Sequence, residues 1–259
     1  MIRFIKILMT IPVLYLIGIP FWFAYYHDSK PCGEIDIRIS DSAEYHFVTR
    51  QHLMNLTYGS KHKLLGTSVR NIPVVDIENR IKDLKELKVA EVFMTVDGTL
   101  NIHVDQRNPV MRIIPDEGGD YFVDEEGFVF RKRNLYSPRL HIIGGNINIT
   151  PLMLENVSIL DTSFTNNVLR DVFHLVTYLR NDSFWSAQID QIYIDSRKEI
   201  DLFPRVGNHL IHLGSAENYS GKLKNLEALY EKVLPEAGWN KYSMINLEFR
   251  DQIVCRRRQ

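Results

Sequence analysis

The residues that could do chemistry are few and scattered. Nine histidines are spread over 259 residues. His209 and His212 sit in a strand-like segment, where side chains three apart leave opposite faces. That spacing argues against a shared metal. Asp190, Asp195 and Asp201 could supply carboxylates for acid–base work, but each falls at a strand end or turn, where solvated acids are expected. Asp124-Glu125-Glu126-Gly127 offers oxygen ligands before a glycine without the full spacing of a calcium-binding loop, and turn chemistry accounts for it. No Gly-x-Ser-x-Gly elbow, phosphate-binding glycine loop or His-Glu-x-x-His pair occurs. The residues read as a binding module, not an enzyme, with no catalytic residue, cofactor or metal assigned.

Charge and cysteine usage narrow the classes further. Lys and Arg number 31 against 32 Asp and Glu, so no basic field for nucleic acid is expected. Arg256-Arg257-Arg258 reads as a solvated end. Two cysteines, Cys32 and Cys255, are too few for a disulfide-built scaffold. They read as unpaired thiols.

The positioning elements begin with an apolar run. Arg3 and Lys6 precede Ile7 through Tyr26, which hold no charge, and His27 and Asp28 follow. A helix of that length crosses a hydrocarbon core of about 30 Å. Phe21, Trp22, Phe23, Tyr25 and Tyr26 suit a membrane interface better than a signal cleavage site. Arg3 and Lys6 place the N-terminus in the cytoplasm by the positive-inside bias. The reading is a cytoplasmic stub, 1–6, a transmembrane signal-anchor helix in contact with lipid, 7–27, and a body on the far side.

Within the body, Ile35, Ile37 and Ile39 alternate with Asp36, Arg38 and Ser40 as a half-buried strand. Thr49 is placed to cap a short helix with Leu53 and Leu56. Asp76 is read as the cap of a second, with Ile77, Ile81 and Leu84 on one face. Val89–Val96 and Leu100–Val104 flank Asp97-Gly98, a hairpin signal. One sheet with two helices on one face would bury these stripes. After Asn108-Pro109, short strands are expected at Val110–Ile114, Tyr121–Val123, Phe128–Phe130 and His141–Ile143. A helix over Asn166–Leu179, strands at Ser186–Ile194, Ile200–Phe203 and Leu210–Leu213, a helix over Lys222–Leu234 and a last strand, Met244–Val254, follow. In that last strand Ile245, Leu247 and Phe249 would share the buried face, and Asn246, Glu248 and Arg250 the other. Proline at 109 removes a ladder donor and biases Asn108 to an extended conformation, which reads as a stiff hinge.

The succession of parts resembles the bacterial division family FtsQ/DivIB. Gly98-Thr-Leu-Asn-Ile-His-Val-Asp-Gln-Arg-Asn-Pro-Val is similar to that family's L-x-I-x-V-x-E-R-x-P-V segment, with Gln106 in place of glutamate. Tyr121-Phe-Val-Asp-Glu-Glu-Gly-Phe-Val-Phe resembles Y-x-V-D-x-x-G-x-x-F. Ile77-Glu-Asn-Arg-Ile-Lys with Leu87-Lys-Val-Ala-Glu-Val resembles the helix and strand of a POTRA domain. His141-Ile-Ile-Gly-Gly, Ile211-His-Leu-Gly with Lys222-Leu, and Met244-Ile-Asn-Leu-Glu-Phe resemble three further stretches. The short stub and Gln-Ile-Val-Cys ending look like a Bacteroidetes-type version.

The resemblance implies an α+β chain: a single transmembrane helix, a POTRA-like β-α-α-β-β domain at 34–107, and a mostly antiparallel FtsQ-type β domain with packed helices at 108–257. It implies a single-pass scaffold in the bacterial inner membrane at the division septum, its body in the periplasm. It would recruit FtsB-like and FtsL-like small coiled-coil proteins, contact other division proteins, and help control septal peptidoglycan synthesis. A terminal strand at a sheet edge can accept a partner strand. Asn246, Glu248, Phe249, Arg250 and Ile253 are the candidate contacts. The alternatives are a membrane-anchored POTRA protein of envelope assembly or transport, or an envelope enzyme with an unrecognised site.

Overall fold

The computed structural model describes residues 15–20, 22, 30–40, 46–59, 64–131, 136–150, 157–161, 168–250 and 252–259. The expected span 7–27 lies mostly outside them. Residues 15–20 and 22 are helical and exposed. Among the described residues, no helix is long and apolar enough to cross a membrane. The chain divides into two compact units, one ending at Gln106 and one beginning at Arg107.

The first unit contains β1 (Glu34–Ser40), α1 (Arg50–Tyr58), a 3-10 turn (Val69–Asn71), α2 (Val74–Lys82), β2 (Leu87–Met94) and β3 (Thr99–Gln106). Its sheet runs β1-β3-β2, with β1 parallel and β2 antiparallel to β3. Period-two alternation places Ile37, Ile102 and Val92 side by side and buried. Leu53, Ile77 and Ile81 of the helices are also fully buried. The helix α1 lies against β1, and α2 against both α1 and β2. Thr49 caps α1, its hydroxyl accepting from the His52 amide at 3.2 Å. Asp76 does not cap α2. That helix starts two residues earlier, after Pro73, and Asp76 sits in its first turn, where its charge suits the helix dipole.

The second unit contains β4 (Pro109–Pro115), β5 (Tyr121–Asp124), β6 (Val129–Arg131), β7 (His141–Gly145), α3 (Val168–Asn181), α4 (Ser183–Gln188), β8 (Ile189–Ile194), β9 (Ile200–Pro204), β10 (Leu210–Gly214), α5 (Tyr219–Lys232), α6 (Leu234–Ala237), β11 (Tyr242–Asn246) and β12 (Val254–Arg257). They form a sheet ordered β12-β11-β10-β9-β8-β7-β4-β5-β6. The sheet is mixed: β4–β7, β7–β8 and β10–β11 are parallel, the other joins antiparallel. The parallel joins β7–β8 and β10–β11 each follow a helical crossover, as parallel neighbours require. Ile113, Ile143, Ile192, Leu202, Ile211 and Ile245 stand in one cross-strand row, all buried. Val172, Leu175, Val176 and Leu179 of α3, with Leu223, Leu226 and Tyr230 of α5, complete that core.

One expected strand is partly a helix. Ser183–Gln188 is helical, because Asp182 caps it by accepting from the Phe184 and Trp185 amides at 2.8 and 3.0 Å. The strand starts at Ile189.

The Val-Asp-x-x-Gly motif is a structural knot. Asp124 is 1% exposed. Its Oδ1 accepts from the amides of Glu126 at 3.0 Å and Phe128 at 2.8 Å, while Oδ2 pairs with the Arg107 guanidinium. Gly127 closes the turn at φ +80°, and a Cβ there would lie 2.5 Å from the Ser158 hydroxyl. Asp124→Ala strands a largely buried guanidinium and two amides, so unfolding free energy in urea should fall by about 3 kcal/mol. Asp124→Asn, which keeps an acceptor oxygen, should lose less. A loss under about 1 kcal/mol for Asp124→Ala, the size of an ordinary substitution, would contradict this role.

Candidate functional site

The C-terminal segment is two strands, not the single strand Met244–Val254 expected from alternation. Strand β11 pairs in parallel with β10, Ile211 opposite Ile245 and His212 opposite Asn246. The Leu247 amide donates to the His212 carbonyl at 2.8 Å and carries the ladder one residue further. Asn246 then stops it: its side-chain oxygen accepts the Glu248 amide at 2.8 Å, a local bond that competes with sheet pairing. Gly214 lies opposite this bend at φ +68°, and a Cβ there would meet Glu248 Cγ at 3.3 Å. Leu247 is 2% exposed, but Phe249 is 47% exposed. Phe249 therefore does not share the buried face of Ile245 and Leu247.

The chain returns antiparallel as β12, with Asn246 opposite Val254 and Ile245 opposite Cys255. Beyond it, the Arg258 amide bonds inward to the Lys241 carbonyl at 2.9 Å. Alternation along the strand turns the Cys255 and Arg257 amides outward. No other described strand pairs with β12 on that side. The edge is short and carries Arg256 and Arg257, features that discourage indiscriminate pairing.

Beside the bend lies a cleft of about 540 Å³ between the start of α5 and the segment linking β11 to β12. Glu248, Phe249, Arg250 and Ile253 line it, together with Asn218 and Lys222. Ile253 is half-buried against the core. Lys222 Nζ donates to the carbonyls of Leu213 and Ser215, both at 2.8 Å. Burial pushes its pKa below the ordinary lysine value, opposed by Glu248 and Glu217. Lys222 and Asn218 were not among the contacts expected from sequence. The Ile-His-Leu-Gly…Lys-Leu stretch was the one signal for Lys222, and Asn218 had none of this kind.

On the sheet face opposite the helices, Tyr193, Asp201, His212, Asn246 and Val254 stand side by side on adjacent strands. His212 Nδ1 donates to Asp201 Oδ1 at 2.7 Å, and Nε2 is 3.8 Å from both Glu199 and Glu248. Tyr193 donates to Asp116 at 3.0 Å. His209, on the other side, is buried and shares a 2.7 Å hydrogen bond with the Tyr230 hydroxyl. The two histidines are not brought together. Among the described residues no group of three histidine, cysteine or acidic side chains is set to hold a metal ion. Cys32 and Cys255 are both free thiols.

Two family models match the chain. One, described as FtsQ/DivIB, C-terminal related, covers residues 108–256. The other, a POTRA-like domain, covers residues 30–105. No curated protein matches the sequence.

The buried histidines make stability depend on pH. Burial pushes His209 below the ordinary histidine pKa. Burial, then the Arg180 charge, does the same to His141. The unfolded chain protonates these rings near pH 6.5, before the folded one does. Stability is therefore full above that pH and falls as pH drops from it toward the folded values, by at most about 1.4 kcal/mol per pH unit per histidine. Urea midpoints at pH 7.5 and 5.5 should show the fall, and His209→Gln should shallow it. A slope unchanged by His209→Gln would contradict the assignment.

Proposed function

The chain belongs to the FtsQ/DivIB family, and on that premise we propose that it is a non-enzymatic scaffold of the bacterial division machinery. Residues 7–27 anchor it in the inner membrane, with residues 1–6 in the cytoplasm and the body in the periplasm. The POTRA-like domain occupies 34–107 and the β domain 108–257. It gathers small coiled-coil membrane partners of the FtsB and FtsL kind at the septum and so helps control septal peptidoglycan synthesis.

The observation that carries this reading is the outer edge of β12, where the Cys255 and Arg257 amides face outward and no other described strand pairs with them. A partner strand added there gains backbone hydrogen bonds for affinity. Side chains beside it set the register. Asn246 shapes the bend, Glu248 and Phe249 present a charge and an exposed ring, Arg250 adds a cation, and Ile253 floors the cleft. The arginines of the edge, with Arg258 beyond them, favour an acidic strand. A second contact lies on the POTRA-like unit, where β2 is an edge strand and a cleft of about 410 Å³ between α2 and β2 is lined by Glu78, Lys82, Lys88 and Glu91.

Two variants test the edge separately. Cys255→Pro removes an outward donor while leaving the inward ladder intact, and Phe249→Asp changes an exposed reader. Each should cut co-purification of the small partners from detergent-solubilised membranes at least tenfold, about 1.4 kcal/mol, with unchanged circular dichroism. Full retention by both folded variants would move recruitment to the POTRA-like unit or the anchor.

A further inference from the structure

A second cavity, which shares no residue with the β12 cleft, has the makings of an anion site. It has a volume of about 340 Å³ and lies within the second unit. Four elements, the segment before β7 and the chain just after β9 converge on it. Arg139 comes from that segment, His141 opens β7, Arg180 stands near the end of α3, Ser186 lies on α4, and Asp190 and Arg205 lie on β8 and just after β9.

The charges around it do not balance. Arg205 Nη2 is paired with Asp190 Oδ1 at 2.6 Å. Arg180 Nη1 donates to the Pro109 carbonyl at 3.2 Å, a neutral partner that leaves its charge in place. Arg139 has no ion pair or hydrogen bond to another described residue. Three guanidiniums thus face one cavity against one carboxylate, with two positive charges left over. Like charges gathered at one cavity repel, and an anion between them turns that repulsion into attraction.

His141, which also lines the cavity, is itself buried. It is 6% exposed, and its Nε2 is closed off from solvent with no hydrogen-bond partner among the described residues. Orphaned buried ring nitrogens are uncommon, because each carries the full desolvation penalty. The ring is kept neutral by burial and by Arg180, with Asp190 opposing.

We propose that this cavity binds a phosphoryl group. Its dianion matches the two uncompensated guanidiniums, since phosphate monoesters carry about −1.5 to −2 charge at neutral pH. Its tetrahedral oxygens can meet donors on several sides at once, the guanidinium N–H groups of Arg139, Arg180 and Arg205 that line the cavity. The group can come from free phosphate or from the phosphomonoester headgroup of phosphatidic acid.

The test uses the full-length chain in mild detergent at pH 7.5. Inorganic phosphate is titrated against sodium chloride of matched ionic strength, and the His141 ring resonance is followed by NMR. Saturable binding that moves His141, weakened at least tenfold by Arg139→Gln, is the expected result. Arg139 is exposed and joined to no other described residue, so this variant should fold with unchanged melting temperature. Sedimentation with phosphatidic acid rather than phosphatidylglycerol or phosphatidylcholine vesicles, lost in Arg139→Gln, would identify the headgroup as the source. Equal binding of acetate would overturn the phosphoryl assignment in favour of any oxyanion. Binding of neither phosphate nor vesicles, or binding that Arg139→Gln and Arg205→Gln leave unchanged, would overturn the site.

Discussion

An open β-sheet has two ends, and at each the last strand leaves half of its backbone groups without a partner in the sheet. In the second unit those ends are β6 and β12. Much of that unit can be understood as support for the β12 end. The apolar row from Ile113 to Ile245 fixes the strand order by burying one face under α3 and α5. The parallel placement of β11 beside β10 follows from the α5–α6 crossover between them. Only after these are set does the short return of Val254–Arg257 fall at the outside, held by β11 alone.

Local hydrogen bonds decide where this framework stops. Asn246 takes the Glu248 amide and ends β11, and Gly214 lets Glu248 pass close. Asp124 takes two amides and a guanidinium and ends β5. Asp182 takes two amides and starts α4. In each case a short polar side chain offers the backbone an alternative to the ladder. The result is a chain that turns where a hydrophobic pattern alone would continue.

That explains which parts were legible in the sequence. Strand alternation at Ile35–Ile39, the Asp97-Gly98 hairpin and the stripes of α2 and α3 were readable because burial imposes periods of two and 3.6. The motifs carrying the family resemblance mark turns and strand ends, Asp124 and Gly127 among them. The last strand was misread because Ile245, Leu247 and Phe249 keep a perfect alternation through a bend that one asparagine side chain creates. The same bend frees Phe249 and builds the cleft, so Lys222 and Asn218 could not be placed beside it from spacing alone. The arginine-lined cavity was invisible for a similar reason. Its residues are separated by up to 66 positions between Arg139 and Arg205, and only the β7–β8 and β8–β9 joins bring them together.

Amide hydrogen exchange on the Cys255 and Arg257 amides, in the free chain and in the complex isolated with its small membrane partners, tests the edge most directly. Strand addition predicts that both exchange freely alone and become strongly protected in the complex, while Val254 and Arg256 change little. Protection that appears elsewhere, with Cys255 and Arg257 still exchanging as in the free chain, would contradict it.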